Sequence, residues 1–432
     1  MENVSVKTVV AASDPEANYT GPLAIVTSLF FMWGFLTCLN DILVPHLKSI
    51  FDLSYARVML IQFAFFGAYF IFSIPSAKII DWMGYQRSMV AGLLMMGLGA
   101  FLFVPAASVP SYPLFLGALI VLAAGITCLQ VAANPYVTVL GKPQTASSRL
   151  NLTQAFNSLG TFLAPFFGGL LILSAAPKAM DEIRAMAPDA LQAYRLHEAA
   201  TVKTPYVGLG MALVLLAIAI GSFKLPKIEH AQHKVGEKVD DSIWKHPSLI
   251  FGAIAIFVYV GAEVSIGSFL VNYFGQPEIG GLTEKVAANF VALYWLGAMI
   301  GRFIGSGLLQ KVKTGKLLGI CAICAAGLVA ISMLTSGHFA MWSIIFVGFF
   351  NSIMFPSIFT LGVAELGPLT GDGSGVMIMA IVGGAIIPVA QGWIADKIGI
   401  HHAFFLPVIC YLYILFFALS GSKPNSERQA KT

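Results

Sequence analysis

Apolar runs of membrane-spanning length recur along this chain at 22–47, 58–80, 88–107, 113–139, 150–174, 205–225, 248–275, 285–309, 317–336, 340–363, 375–395 and 402–420. A helix needs about 20 mainly apolar residues to cross a bilayer, and lipid offers no partner to an unpaired backbone group. Each run therefore reads as one helical span. Charged residues make up 11% of the chain, against about 25% in soluble domains, which excludes a soluble enzyme or nucleic-acid binder of this length. The expected fold is an all-α integral membrane protein of twelve transmembrane helices in two pseudo-symmetric six-helix halves.

Two polar inserts divide the runs. Residues 175–204 separate the fifth and sixth, and 226–247 (PKIEHAQHKVGEKVDDSIWKHP) separates the sixth and seventh. The expected organisation is a tail over 1–21, an N-terminal half over 22–225, a linker over 226–247, a C-terminal half over 248–420 and a tail over 421–432. The 175–204 insert places Met180, Ile183, Met186 and Leu191 at helical spacing, so it is either an amphipathic cap or a solvated loop. The first twenty residues lack the basic start and short apolar core of a cleavable signal.

Short loops carrying Arg87, Lys142, Arg149, Lys311, Lys313 and Lys316 alternate with loops poorer in positive charge. The positive-inside bias then puts both termini and the linker in the cytoplasm. The net charge of +4 is a topology signal and no nucleic-acid patch. Cys321 and Cys324 form a CxxC within LLGICAICAAG, with no histidine or acid beside them; they read as small packing residues, and no metal site is expected there.

Polar residues inside the spans carry the functional signal. In FFMWGFLTCLNDILVPHLK, residues Trp33, Thr37, Asn40 and Asp41 share about 100° of helix circumference. A carboxylate in hydrocarbon costs roughly 2.5–3.5 kcal/mol by insertion scales, so Asp41 is expected to face a cavity or a partner. CLQVAANPYVTVL sets Gln130 and Asn134 on one face, and Pro135 can free a carbonyl just after them. RLNLTQAFNSLGTFLAP adds a stripe of Asn151, Gln154, Ser158 and Thr161, bordered by Asn157. Helix seven carries Glu263, and helix ten carries Asn351 and Phe355. Amides this dense in consecutive helices suit a hydrated site for hydroxyl groups, hence a neutral polyol. An anion would call for a basic residue inside the bundle, and the candidates are Lys78 at a helix end and Arg302 near the cytoplasmic end of its span.

Six plus six helices with a polar connector is the organisation of a major facilitator transporter, whose halves rock about a central site. Asp81-Trp82-Met83-Gly84-Tyr85-Gln86-Arg87 resembles that superfamily's D-x-x-G-x-x-R gating loop after helix two, with Asp81, Gly84 and Arg87 in place and further basic positions replaced. FFMWGFLTCLNDILVPHLK, CLQVAANPYV, LNLTQAFNSLGTFLAP, YVGAEVSIGSFLVNYF and MFPSIFTLG resemble the fucose–galactose–glucose branch of major facilitator sugar symporters, from about residue 22 to 420. Within it the glucose/galactose transporters look nearest, and N-acetylglucosamine permeases come second.

The resemblance implies roles. Asp41 matches the branch's aspartate that couples cation to sugar, and Asn157 matches an asparagine of the sugar pocket. Gln130 stands where the fucose permeases have a glutamate, so a two-carboxylate proton relay is not available. Phe355 replaces a tyrosine, which disfavours L-fucose. The expected activity is uptake of a neutral hexose by cation symport, Na⁺ near Asp41 being preferred to H⁺, with Glu263 as a second coupling candidate. Sugar contacts are expected from Trp33, Asp41, Gln130, Asn134, Gln154, Asn157 and Asn351. No cofactor or catalytic residue is expected, and the superfamily implies a monomer. The alternatives are an H⁺-coupled or N-acetylglucosamine-type permease, a uniporter or channel, and a membrane sensor or enzyme.

Overall fold

The structure is a computed structural model, and it describes the backbone of residues 19–51, 55–109, 111–171, 182, 185–201, 203–226 and 241–423. Side chains at 37, 39–51, 55–60, 166–171 and 198–201 lie outside the described residues. Every regular element among those described is helical. The long ones are α1 (Thr20–Phe51), α2 (Tyr55–Ser108), α3 (Tyr112–Val139), α4 (Ala146–Leu171), α5 (Pro188–Thr201) and α6 (Lys203–Ser222). After the linker come α7 (Pro247–Gly275), α8 (Glu284–Leu308), α9 (Thr314–Leu334), α10 (Gly337–Gly362), α11 (Gly367–Ile398) and α12 (Ile400–Gly421).

Nine helices among the described residues are long and apolar enough to cross a membrane. One of them, α2, makes two spans, because Gly84 at φ 83° and ψ 167° breaks it where residues with a Cβ are strained. With α1 and α4 the fold has the twelve spans expected. The loop expected between the second and third runs is thus a one-glycine turn, flanked by Asp81 and Arg87 in helical backbone. Helix α5 occupies the 175–204 insert and packs against α1, α2 and α6, with Leu191 half-buried; Met180 and Ile183 lie outside the described residues.

Close helix packing rests on missing side chains. A Cβ on Gly34 of α1 would sit 2.1 Å from the Asn157 carbonyl oxygen on α4, and one on Gly160 would sit 2.3 Å from that of Phe31. In the C-terminal half a Cβ on Gly383 of α11 would sit 2.0 Å from the carbonyl oxygen of Phe257 on α7. Small residues let backbones approach where lipid supplies no hydrophobic force between helices.

The halves meet toward the end of the bundle that carries the linker and the Gly84 turn, here the linker end. There α2 and α3 pack on α11, and α4 packs on α8 and α10. Ser147 lies 2.6 Å from the Thr360 hydroxyl, Ser148 donates to the Ser306 carbonyl at 2.7 Å, and Lys78 pairs with Asp372 at 2.8 Å. This closure accounts for one departure from the sequence reading. The last-but-one span was expected from 375, but it starts at 367, because the polar segment Thr370–Ser374 is buried against the opposite half.

Candidate functional site

Helix α3 is buried over its whole inner half, and it presents Gln130 and Asn134 one turn apart with 1% and 0% of their surface exposed. Gln130 Nε2 donates to the Tyr69 hydroxyl on α2 at 2.7 Å, while its Oε1 has no partner among the described residues. Neither amide atom of Asn134 has one. Pro135 lacks the N–H that a helix would aim at the Val131 carbonyl. That carbonyl was expected to open onto a cavity, but it is taken by Ser374 Oγ of α11 at 2.8 Å.

The α4 stripe divides between two neighbours. On the α1 side, Asn157 Nδ2 donates to the Phe30 carbonyl at 2.9 Å, and Thr161 lies 3.3 Å from that of Gly34. Trp33 is buried on this side, 5.2 Å from the Phe30 ring. On the α8 side, Asn151 Nδ2 donates to the Arg302 carbonyl at 2.7 Å, and the Arg302 guanidinium donates to Ser158 Oγ. Gln154 lies one turn from both Asn151 and Ser158, and its Nε2 has no protein partner. Asp41 lies in the helical backbone of α1, but its side chain is outside the described residues, as are those of Thr37 and Asn40.

The C-terminal half contributes a buried cluster. Tyr259 Oη donates to Glu263 Oε1 at 2.9 Å and lies 3.1 Å from the Asn351 carbonyl. Asn351 Nδ2 donates to the Tyr294 hydroxyl at 2.8 Å, leaving its Oδ1 unpaired. Phe355 is buried and stacks on Phe359 at 6.2 Å. Glu263 feels the positive charge of Arg302, whose Nε also donates to the Ser352 carbonyl at 3.2 Å. The gating-loop residues stay apart from this cluster: Asp81 lies 3.5 Å from Lys78, and Arg87 is exposed at the linker end.

Sequence reasoning missed Tyr69 and Tyr259, and it named Arg302 without its partners on α4 and α10. The tyrosines carried no signal, since aromatics in such helices mostly pack. Arg302 lies near the end of α8, as expected, but its side chain crosses to Ser158 on α4. Its Nε and Nη1 donate to the Ser352 carbonyl and to Ser158, so two of its five donors are spent on holding α4 and α10.

The site is thus rich in neutral hydrogen-bonding atoms that no described residue pairs. They are the carbonyl oxygens of Gln130, Asn134, Asn151 and Asn351 and the amide nitrogens of Asn134 and Gln154. Leaving such a buried group unmade costs about 1–3 kcal/mol. A set mixing donors with acceptors matches hydroxyl groups, which are both.

Comparisons with known proteins agree with this geometry. A family model described as Major Facilitator Superfamily matches residues 25–381. The chain is 53% identical over 408 residues to a glucose/galactose transporter of Brucella abortus biovar 1, covering 94% of this chain and 96% of the relative. It is 36% identical over 435 residues to the L-fucose-proton symporter of Escherichia coli, covering 97% and 98%. The fold is similar to a crystal structure of the major facilitator superfamily transporter FucP in the outward conformation, with a TM-score of 0.86 and 35% identity over 94% of this chain and 99% of that one.

Proposed function

The chain belongs to the major facilitator superfamily and is a sugar transporter, not an enzyme, and from that premise we propose that it imports a neutral hexose of glucose or galactose type by cation symport. The observation that carries this reading is the set of unpaired buried amides on α3, α4 and α10, a mixture suited to several hydroxyls and to no net charge. The 53% identity to a protein named for glucose and galactose favours those sugars.

Basic residues at the linker end favour the cytoplasm for that side and for both termini. The pathway is then closed inside, as the Lys78–Asp372 and Ser147–Thr360 contacts support, and the outward likeness agrees. Sugar entering from outside would meet Trp33, Asn157 and Asn351 first, then Gln130 and Gln154 at about the same depth, and Asn134 deepest. Asp41 would couple the cation, with Glu263 as its counterpart in the C-terminal half. A ligand shifts the rocking equilibrium only by its differential affinity for the two states. Coupling therefore requires cation and sugar together to favour the occluded form.

Sodium is the preferred cation. Gln130 holds no titrating proton, so Asp41 would act as an ionised ligand beside amide and hydroxyl oxygens. The second reading is a proton, favoured by the relative named as a proton symporter. Purified protein in proteoliposomes separates them. Labelled glucose should accumulate with an inward Na⁺ gradient and stop accumulating when choline replaces Na⁺ at fixed pH. Undiminished uptake in choline overturns sodium coupling. Asp41→Asn should abolish accumulation while counterflow persists, and a variant that still accumulates sugar overturns the role of Asp41.

A further inference from the structure

One cluster of unpaired polar atoms lies away from the sugar site, between α7 and α11 inside the C-terminal half. The two helices stay in register over successive turns. A Cβ on Gly383 would meet the Phe257 carbonyl, and one on Gly261 would meet the Ile387 side chain at 2.3 Å. One turn further along each helix come Ser265 and Gln391, and beyond them a Cβ on Gly392 would meet Phe269 at 3.4 Å. Ser265 and Gln391 are therefore neighbours across the same seam, each with 0% of its surface exposed. Ser265 Oγ, Gln391 Oε1 and Gln391 Nε2 all lack a partner among the described residues.

Two details show that the seam is built for something polar. Serines and threonines in these spans ordinarily turn back on the carbonyl four residues earlier, as Ser76, Thr127 and Ser343 do. Ser265 makes no such bond. In addition, Pro388 has no N–H for the Gly384 carbonyl, and the Gln391 side chain leans over that turn because helical side chains tilt toward the N-terminus. Where Pro135 frees a carbonyl in α3, Ser374 fills the gap; among the described residues no side-chain hydrogen bond fills it at Gly384.

The seam thus presents an amide donor, an amide acceptor, a hydroxyl and a freed carbonyl, walled by Ile387, Phe269 and Val260. A bare cation would leave Gln391 Nε2 unpaired, and an anion would face three oxygens. We propose that Ser265 and Gln391 form a sealed hydration site holding ordered water at the proline break of α11. Water matches because it donates and accepts, and a buried water takes about three such bonds. This site is independent of the sugar reading.

X-ray hydroxyl-radical footprinting tests it, because ordered water beside a side chain is activated in place and oxidises it. The probe is water itself, with the full chain in nanodiscs. Phe269 and Ile387 are half-buried and Phe103 is buried in the other half, so Phe103 sets only the floor of labelling, and the native chain is the reference for the variant. Labelling of Phe269 and Ile387 should fall about fivefold in the Ser265→Ala/Gln391→Leu variant, where the water has lost its main partners. Labelling of Phe269 and Ile387 no higher than that of Phe103 overturns the proposal, and so does unchanged labelling in the double variant. Should the double variant fail to fold, Ser265→Ala alone removes one hydroxyl and is read the same way, with a fall of about twofold expected.

Discussion

Ser374 Oγ of α11 donates at 2.8 Å to the carbonyl of Val131, the acceptor that Pro135 deprives of its own helix partner. A proline on one half is thereby repaired by a hydroxyl on the other, and only while the linker end is closed. Ser374→Ala leaves the Val131 carbonyl buried and unpaired in this state alone, at a cost of about 1 kcal/mol or somewhat more. The population should move about fivefold toward the linker-open form. Distances between spin labels on the two halves measure this, and an unchanged distribution shows that the bond does not bias the halves.

The Lys78–Asp372 pair crosses the same interface at 2.8 Å, but 59% of the lysine side chain is exposed. A pair so wet contributes about 0.2–1 kcal/mol. Lys78→Gln should therefore shift the same equilibrium less than Ser374→Ala, and 0.5 M salt should mimic much of its effect in the unmodified protein. A shift larger than that of Ser374→Ala would assign the main closing force to the ion pair.

Gly34 is a test of packing. A Cβ added there would sit 2.1 Å from the Asn157 carbonyl oxygen and 2.8 Å from its carbon, and backbone cannot yield as a side chain tip can. Gly34→Ala should force α1 off α4 and lower stability by about 1–3 kcal/mol, as overpacking commonly does. The expected result is a lower unfolding temperature in detergent together with weaker sugar binding, since Trp33 and Asn157 flank the contact. Gly21→Ala, where a Cβ meets nothing within 4 Å, is the control and should unfold as the native chain does.

The twelve spans were legible because lipid demands length and apolarity in one contiguous segment. The start of α11 was not, since Thr370–Ser374 looks like a loop until the opposite half buries it. The amides of Gln130, Asn134, Asn151 and Gln154 stood out because polar atoms are rare in such helices. Their division of labour did not: helical spacing puts Asn151, Gln154, Ser158 and Thr161 on one stripe, but which neighbour each meets depends on α1 and α8 arriving on either side. Gln391 was invisible for the same reason. One glutamine in GGAIIPVAQGW gains meaning only when Ser265 is found across the seam.

Arg302 is where the structure changes the reading most. From one position it donates to Ser158 on the opposite half and to the Ser352 carbonyl on its own, while its own carbonyl accepts from Asn151. Lysine keeps the charge beside Glu263 but cannot reproduce a fork that serves two acceptors. A charge-assisted bond contributes about 1.5–3 kcal/mol. Arg302→Lys should accordingly slow sugar uptake by about tenfold, and Arg302→Gln should slow it further. The decisive comparison is a double-mutant cycle with Ser158→Ala. If the guanidinium acts through that hydroxyl, the two substitutions should be non-additive by about 1 kcal/mol or more in initial uptake rate. Additive losses would mean that Arg302 serves Glu263 electrostatically and that its contact with α4 is incidental.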